Sequence, residues 1–158
     1  MLNQIDGFQH SHASEALSLP FAVEASWVTG KLSKLRDCLA LATENSEGDF
    51  NVGIGRALLA LSEDRLVQFS SILENLRQIT AKGLSMTNTA SLQDCHEALL
   101  RFHVLTEIET ISGVRDGNIA DKRSPTASMN QRLDVLGPFL SDKQYILGLR
   151  RATMQLSK

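Results

Sequence analysis

The stretch Asp49–Leu84, DFNVGIGRALLALSEDRLVQFSSILENLRQITAKGL, decides the fold. In its second half Phe69, Ile72, Leu76 and Ile79 fall at i, i+3, i+7 and i+10, the spacing of one face of an amphipathic helix. Ser62 is placed to cap that helix, Glu63 and Asp64 lie near its positive end, and Gly83 marks its close. The first half predicts another helix, from Phe50 to about Ser62. Two helices joined by so short a turn make a helical hairpin.

Gly53-Ile54-Gly55 raises the question of chemistry. A dinucleotide-binding turn needs a small residue three positions after its second glycine and a buried strand before its first. Here that position is Leu58, and the preceding ENSEGDF is no strand. A phosphate-binding Walker loop requires Gly-Lys-Ser or Gly-Lys-Thr, which is missing. Gly53 and Gly55 are therefore read as packing positions where a neighbouring helix backbone comes close.

Outward from this hairpin the chain reads as helix nearly throughout. Towards the N-terminus, HASEALSLPFAVEASWVTG carries Pro20, which is expected to open a helix rather than lie within one. A helix from Phe21 to Thr29 stops at Gly30, a C-terminal cap, with Trp27 as its core anchor. KLSKLRDCLALAT follows, with Leu32, Leu35, Leu39 and Ala42 on one stripe. Beyond Leu84, a helix from Ala90 to about Ile111 starts behind a Thr89 or Ser91 cap. It is apolar on two sides, Leu92, Leu99 and Phe102 on one and Leu100, Val104, Ile108 and Ile111 on the other, so it is expected to be buried between neighbours.

Gly113–Ser128 is rich in Gly, Asp, Ser and Pro without periodicity and reads as an exposed, mobile loop. Ser124-Pro125 within it fits a proline-directed phosphorylation site. Helices over Asn130–Leu136 and Asp142–Ser157 follow, with Gly137-Pro138 either separating them or kinking one longer helix, and Tyr145, Leu149, Ala152 and Leu156 as the last stripe. No segment alternates with period two, so no strand is expected. The fold class is all-α, a solenoid segment of α-α hairpins of tetratricopeptide or HEAT type with six to seven helices. A compact bundle is the competing architecture.

Composition narrows function. With 158 residues the chain can bury one real core, and a net charge of −2 provides no field to draw in nucleic acid or an anionic membrane. No apolar run approaches the roughly 20 residues that span a bilayer. Cys38 and Cys95 lie in helical segments and read as reduced thiols of a soluble intracellular protein.

Candidate chemistry is sparse. Cys95, His96 and His103 share a helix and offer soft ligands, but His96 and His103 stand about 10 Å apart along it, too far for adjacent zinc ligands. A histidine phosphotransfer bundle needs small residues after its histidine, and HEALLRFH lacks them. No nucleophile elbow or reactive-cysteine signature occurs. Glu97, Glu107 and Glu109 read as the solvated face of a helix. Arg150-Arg151 reads as helix surface or an intrachain ion-pair donor. Neither a catalytic, nor a cofactor-binding, nor a metal site is assigned. Trp27, Gly30, Gly53, Gly55, Leu99, His103, Leu149, Arg150 and Arg151 are candidates for structural or interaction roles.

Four segments, in order, carry a family resemblance. VEASWVTGKLSKLRDCL resembles the Glu-Ala-x-Trp-x-x-Gly hairpin in the FAT region of phosphatidylinositol 3-kinase-related protein kinases, with Leu32 where that family usually has a second tryptophan. NVGIGRALLAL and the long helix after it resemble the next hairpin. ALLRFHVLTEIETI is similar to the Leu-His-x-Leu-x-Glu-Leu-Glu segment of the ATR-type branch. ILGLRRATMQL resembles the Ile-Leu-x-Leu-Arg-Arg-Ala-Leu helix there.

The resemblance divides the chain into a flank ending a preceding helix (1–20), FAT-type hairpins (21–112), the loop (113–128) and truncated last helices (129–158). It implies a non-catalytic scaffold fragment of a nuclear, ATP-dependent serine/threonine protein kinase of the DNA-damage checkpoint. Met1 then need not be the natural start. ATP and magnesium would belong to the parent's kinase domain, which this chain lacks along with its Asp-Phe-Gly and Asp-Arg-His motifs. The implied partners are that kinase domain, neighbouring FAT helices and a second protomer, without nucleic acid or membrane. By residue pattern alone, a free-standing tetratricopeptide-like adaptor and a phosphotransfer bundle using His96 or His103 stand as alternatives.

Overall fold

The computed structural model describes residues 18–42, 48–86, 91–113 and 125–157. The expected flank up to residue 17, Ser124 and most of the Gly113–Ser128 loop lie outside them. Among the described residues every regular element is a helix: α1 (residues 18–28), α2 (Leu32–Ala40), α3 (Phe50–Ser62), α4 (Leu66–Met86), α5 (Leu92–Ser112), α6 (Pro125–Val135) and α7 (Leu140–Leu156).

The fold is the all-α stack of helical hairpins. α2 lies on α3, α3 on α4, α4 on α5 and α5 on α7, so each helix packs chiefly on near neighbours in the chain, while α3 also touches α7 and α6 packs on α5. His96 early in α5 meets Asp142 early in α7, and Glu107 further along meets Arg150 further along. The two helices therefore run in the same direction.

α3 is the centre. Val52 to Gly55 and Ala57 to Leu61 are all buried, so this helix is enclosed on nearly every side. Asp49 starts it, its carboxylate accepting the Val52 N–H at 3.0 Å. Around α3 sit Val23 and Trp27 of α1, Leu35 of α2, Phe69, Leu73 and Leu76 of α4, Val104, Leu105 and Ile108 of α5, and Ile146 and Leu149 of α7, in one core.

Several expectations need correction. Among the described residues helix runs from 18, so Pro20 lies within a helix rather than opening one. Ser62 does not cap α4; it ends α3, and its hydroxyl donates to the Leu59 carbonyl. Asp64, at φ 56, closes α3 instead, with Asp64 N–H on the Leu61 carbonyl and Arg65 N–H on that of Ala60. Gly30, at φ 70, closes α1 in the same way. α4 passes through Gly83 to Met86. Its buried face is Phe69, Leu73, Leu76 and Thr80, while Ile72 is only partly buried and Ile79 is exposed. Thr80 can enter the core because its hydroxyl donates to the Leu76 carbonyl at 2.8 Å.

In α5 the side bearing Leu92 and Leu99 faces outward, with Leu92 88% and Leu99 50% exposed. One apolar side is buried there and the other is not. At the far end of the expected loop, α6 begins at Pro125, five residues before the helix read from periodicity. Pro125 punctuates a helix start, where its fixed φ and absent N–H cost nothing.

The glycines of α3 admit side chains rather than a helix backbone. A Cβ at Gly53 would overlap the Leu76 Cδ2 of α4, and one at Gly55 would overlap Val23 Cγ1 of α1 and press on Leu35 Cδ1 at 3.2 Å. Leu76 meets Gly53 with the end of a rotatable side chain, whereas Val23 is β-branched and stiff. Alanine gains about 1 kcal/mol of helix propensity over glycine, but overpacking a rigid site costs about 1–3 kcal/mol. Gly55→Ala is therefore expected to lose about 1–2 kcal/mol of stability in urea denaturation, with Gly53→Ala the milder of the two. Equal effects would contradict this packing.

Candidate functional site

α5 is launched by a capping box: the Ser91 hydroxyl accepts the Asp94 N–H, and the Asp94 carboxylate accepts the Ser91 N–H. Further along, the helix carries Glu107 among buried Val104, Leu105 and Ile108, and Glu107 is itself fully buried. A lone carboxylate there would be prohibitively desolvated. It is compensated twice. Arg150 of α7 forks onto it, Nε to Oε2 at 2.7 Å and Nη2 to Oε1 at 3.0 Å, and Arg132 of α6 donates from Nε to Oε1 at 2.7 Å. Arg150 Nη2 also donates to the Met129 carbonyl. One carboxylate thus ties three helices together.

This corrects the reading of Glu107 as solvated. Glu109 is half-buried and pairs with Arg77 of α4 at 2.9 Å, whereas Glu97 is exposed and pairs with Arg101. The signal for Glu107 was available, since it stands three residues from Val104 and four before Ile111, inside the apolar stripe. Arg132 carried no signal, because α6 is a weakly patterned helix.

His103 lies one turn before Glu107. Its Nε2 is buried with no hydrogen-bond partner. Burial lowers its pKa, the Arg132 charge lowers it further, and Glu107 opposes both. A ring nitrogen so enclosed is no phosphoryl acceptor. His96 is engaged by Asp142 at 2.8 Å and tilts over the Phe139 ring, 4.6 Å between centroids. Cys38 and Cys95 are free thiols, and among the described residues no group of His, Cys, Asp and Glu could hold a metal ion.

A second polar chain runs across the other end of the stack. Tyr145 of α7 donates its hydroxyl to Asn51 Oδ1 at 3.1 Å, and Asn51 Nδ2 donates to Glu24 of α1 at 3.4 Å. Trp27, 2% exposed, packs edge-on against Tyr145 at 5.7 Å. Burial raises the Glu24 pKa. It also raises that of Tyr145, with the Glu24 and Asp49 carboxylates adding to the effect and Arg101 opposing it.

Of the candidate residues, His103 and Arg150 converge on Glu107, and Leu149 is fully buried beside Arg150 in the sequence. Trp27 belongs to the Tyr145 cluster, Gly30 to the α1–α2 turn, and Gly53 and Gly55 to α3. Leu99 and Arg151 face outward and join neither cluster. Chemically, the Glu107 cluster is a clamp. Guanidinium groups keep their protons, and three of their N–H donors fill most of the lone-pair sites of the Glu107 carboxylate, two on Oε1 and one on Oε2.

Removing one member strands charge in the core. Glu107→Gln or Arg150→Met is expected to cost about 3–5 kcal/mol, against within about 0.5 kcal/mol for Arg151→Ala, read from denaturant midpoints. Comparable losses at Arg150 and Arg151 would refute the clamp. His103 gives a pH test. Its folded pKa lies below its unfolded one, so the unfolded chain takes up the proton first. The associated stability is complete above the ordinary histidine pKa of about 6.5 and lost as pH falls through the lowered value. His103→Gln should flatten the decline in midpoint on acidification below pH 6.5, and an unchanged slope would refute it.

The family model described as the FAT domain matches residues 19–158. The chain is 23% identical over 159 residues to the serine/threonine-protein kinase MEC1 of Candida glabrata, a match that takes in 97% of this chain and 7% of that protein. No solved structure matches. The Leu-His and Leu-Arg-Arg-Ala segments, read apart in the sequence, meet in the Glu107–Arg150 fork. The chain belongs to the FAT domain family.

Proposed function

We propose that this chain is a framing segment of an ATR-type serine/threonine protein kinase of the DNA-damage checkpoint, working in the nucleus. Its helices hold and orient a kinase domain carried elsewhere in the parent protein. ATP and magnesium belong to that domain, and the partners of this segment are the kinase domain, adjoining FAT helices and a second protomer. The observation that carries the reading is the Glu107–Arg132–Arg150 clamp. It fixes α5, α6 and α7 against one another, and its three charged side chains are committed to one another. The similarity to MEC1 supports the kinase assignment, and this chain spans 7% of that protein's length.

Among the described residues, no helix is long and apolar enough to cross a membrane. The test is to sequence the full transcript that encodes this chain and to place Glu107→Gln at its locus. The transcript should continue in frame into a lipid-kinase-like catalytic domain, and the variant cells should grow normally until replication is blocked with hydroxyurea, then lose viability. A transcript without catalytic-domain sequence, or variant cells that tolerate the block, would overturn the proposal.

A further inference from the structure

The N-terminal end of α3, the middle of α5 and the early turns of α7 meet α1 around an open cleft of about 280 Å³. Leu100 and Val104 of α5 line it with apolar surface, Phe50 and Tyr145 with aromatic rings, and Glu24 and Asp49 with carboxylates. It adjoins a second hollow of about 450 Å³ beside α7, which shares Glu24, Leu100 and Tyr145.

The charges in this cleft do not cancel. Among the described residues that line it, Arg101 is the cation, and it is committed: it pairs with Glu97 and lies over the Phe50 ring, 5.2 Å from its centroid. Asp49 is occupied in part by the α3 N-terminus, through the Val52 N–H. Among the described residues, Glu24 has the Asn51 amide as its hydrogen-bond partner and no cation paired with it. Its carboxylate is held in place by the Tyr145–Asn51 chain, half-buried, above an apolar floor.

We propose that this cleft receives a lysine or arginine side chain from a basic segment of a partner polypeptide. The aliphatic stem of such a side chain would lie along Leu100 and Val104 and its cationic head would reach Glu24, with Asp49 adding long-range attraction. An anionic ligand is disfavoured, since the one guanidinium is already paired, and a purely apolar ligand would leave Glu24 desolvated without compensation. The raised pKa of Glu24 agrees with a carboxylate lacking a cation. The inference goes beyond the kinase-frame reading and does not depend on it, because it concerns the surface of this chain alone.

The sole tryptophan, Trp27, sits edge-on to Tyr145 and serves as a reporter. The probe is the acetylated amide of Ala-Arg-Ala, with the isosteric citrulline tripeptide as its uncharged control, titrated into the 158-residue chain. Saturable changes are expected in Trp27 fluorescence and in the amide resonances of Asn51, Arg101 and Tyr145. Affinity should fall about tenfold with citrulline and about tenfold in Glu24→Gln. Glu24→Gln removes a charge without a cation partner and so should not unfold the chain. Glu24→Lys, which supplies the cation from within, should abolish binding while keeping the helical circular dichroism. Equal binding of both peptides, an undiminished Glu24→Gln, or shifts scattered away from the cleft would each overturn the proposal.

Discussion

α3 is the constraint from which the rest follows. Nine of its thirteen residues are buried, so it shows little surface to solvent, and its neighbours must surround it rather than lie along one face. The two glycines set how closely they do so. Leu76 drops into the space at Gly53, and Val23 with Leu35 into the space at Gly55, so α4 on one side and α1 with α2 on the other are seated by shape. Dispersion falls steeply with small gaps, and a seat of this kind fixes position along the helix more sharply than area alone would.

The polar clamp settles what the apolar contacts leave open. Leucine and isoleucine stripes tolerate sliding, since neighbouring registers bury similar area. Glu107 does not tolerate it, because a shift of one turn would leave a carboxylate and two guanidiniums without partners in a dry core. A buried ion cluster is not by itself a source of stability, and an apolar replacement of matched volume can do as well. What the fork supplies is register: a planar guanidinium meets both carboxylate oxygens in a single arrangement. Arg132, with 19% of its side chain exposed, shares its charge with water, which eases the burial of two cations beside one anion.

Much of this was legible in the residues. Periodicity marked α2, α4, α5 and α7, and Gly30 and Ser91 marked ends that the structure shares. Boundaries went astray where one residue type serves two purposes. Pro125 reads as loop or as first helical residue, and Gly83 as cap or as interior. The face of α4 was rotated slightly because Thr80 looks polar until its hydroxyl bonds its own backbone. Leu99 and Leu105 are indistinguishable by type, and their different burial depends on where α4 and α7 lie. Glu107 was visible in the stripe but was overruled by the expectation that charge faces water. The Glu24 cleft was invisible, being assembled from helices that lie far apart in the chain.

Both polar chains end on α7. Arg150 holds it to α5 and α6, and Tyr145 holds it through Asn51 to α3 and α1. A displacement of α7 would therefore be felt across the stack through directional bonds rather than through surfaces that can slip. Such bonds hold or break, so the frame resists small displacements and responds discontinuously to large ones. For a segment whose proposed task is to keep other lobes oriented, that response is mechanically apt. The clamp keeps one end in register, and the cleft at the other end, with its uncompensated Glu24, is where a partner's charge would add to or loosen the same chain of contacts.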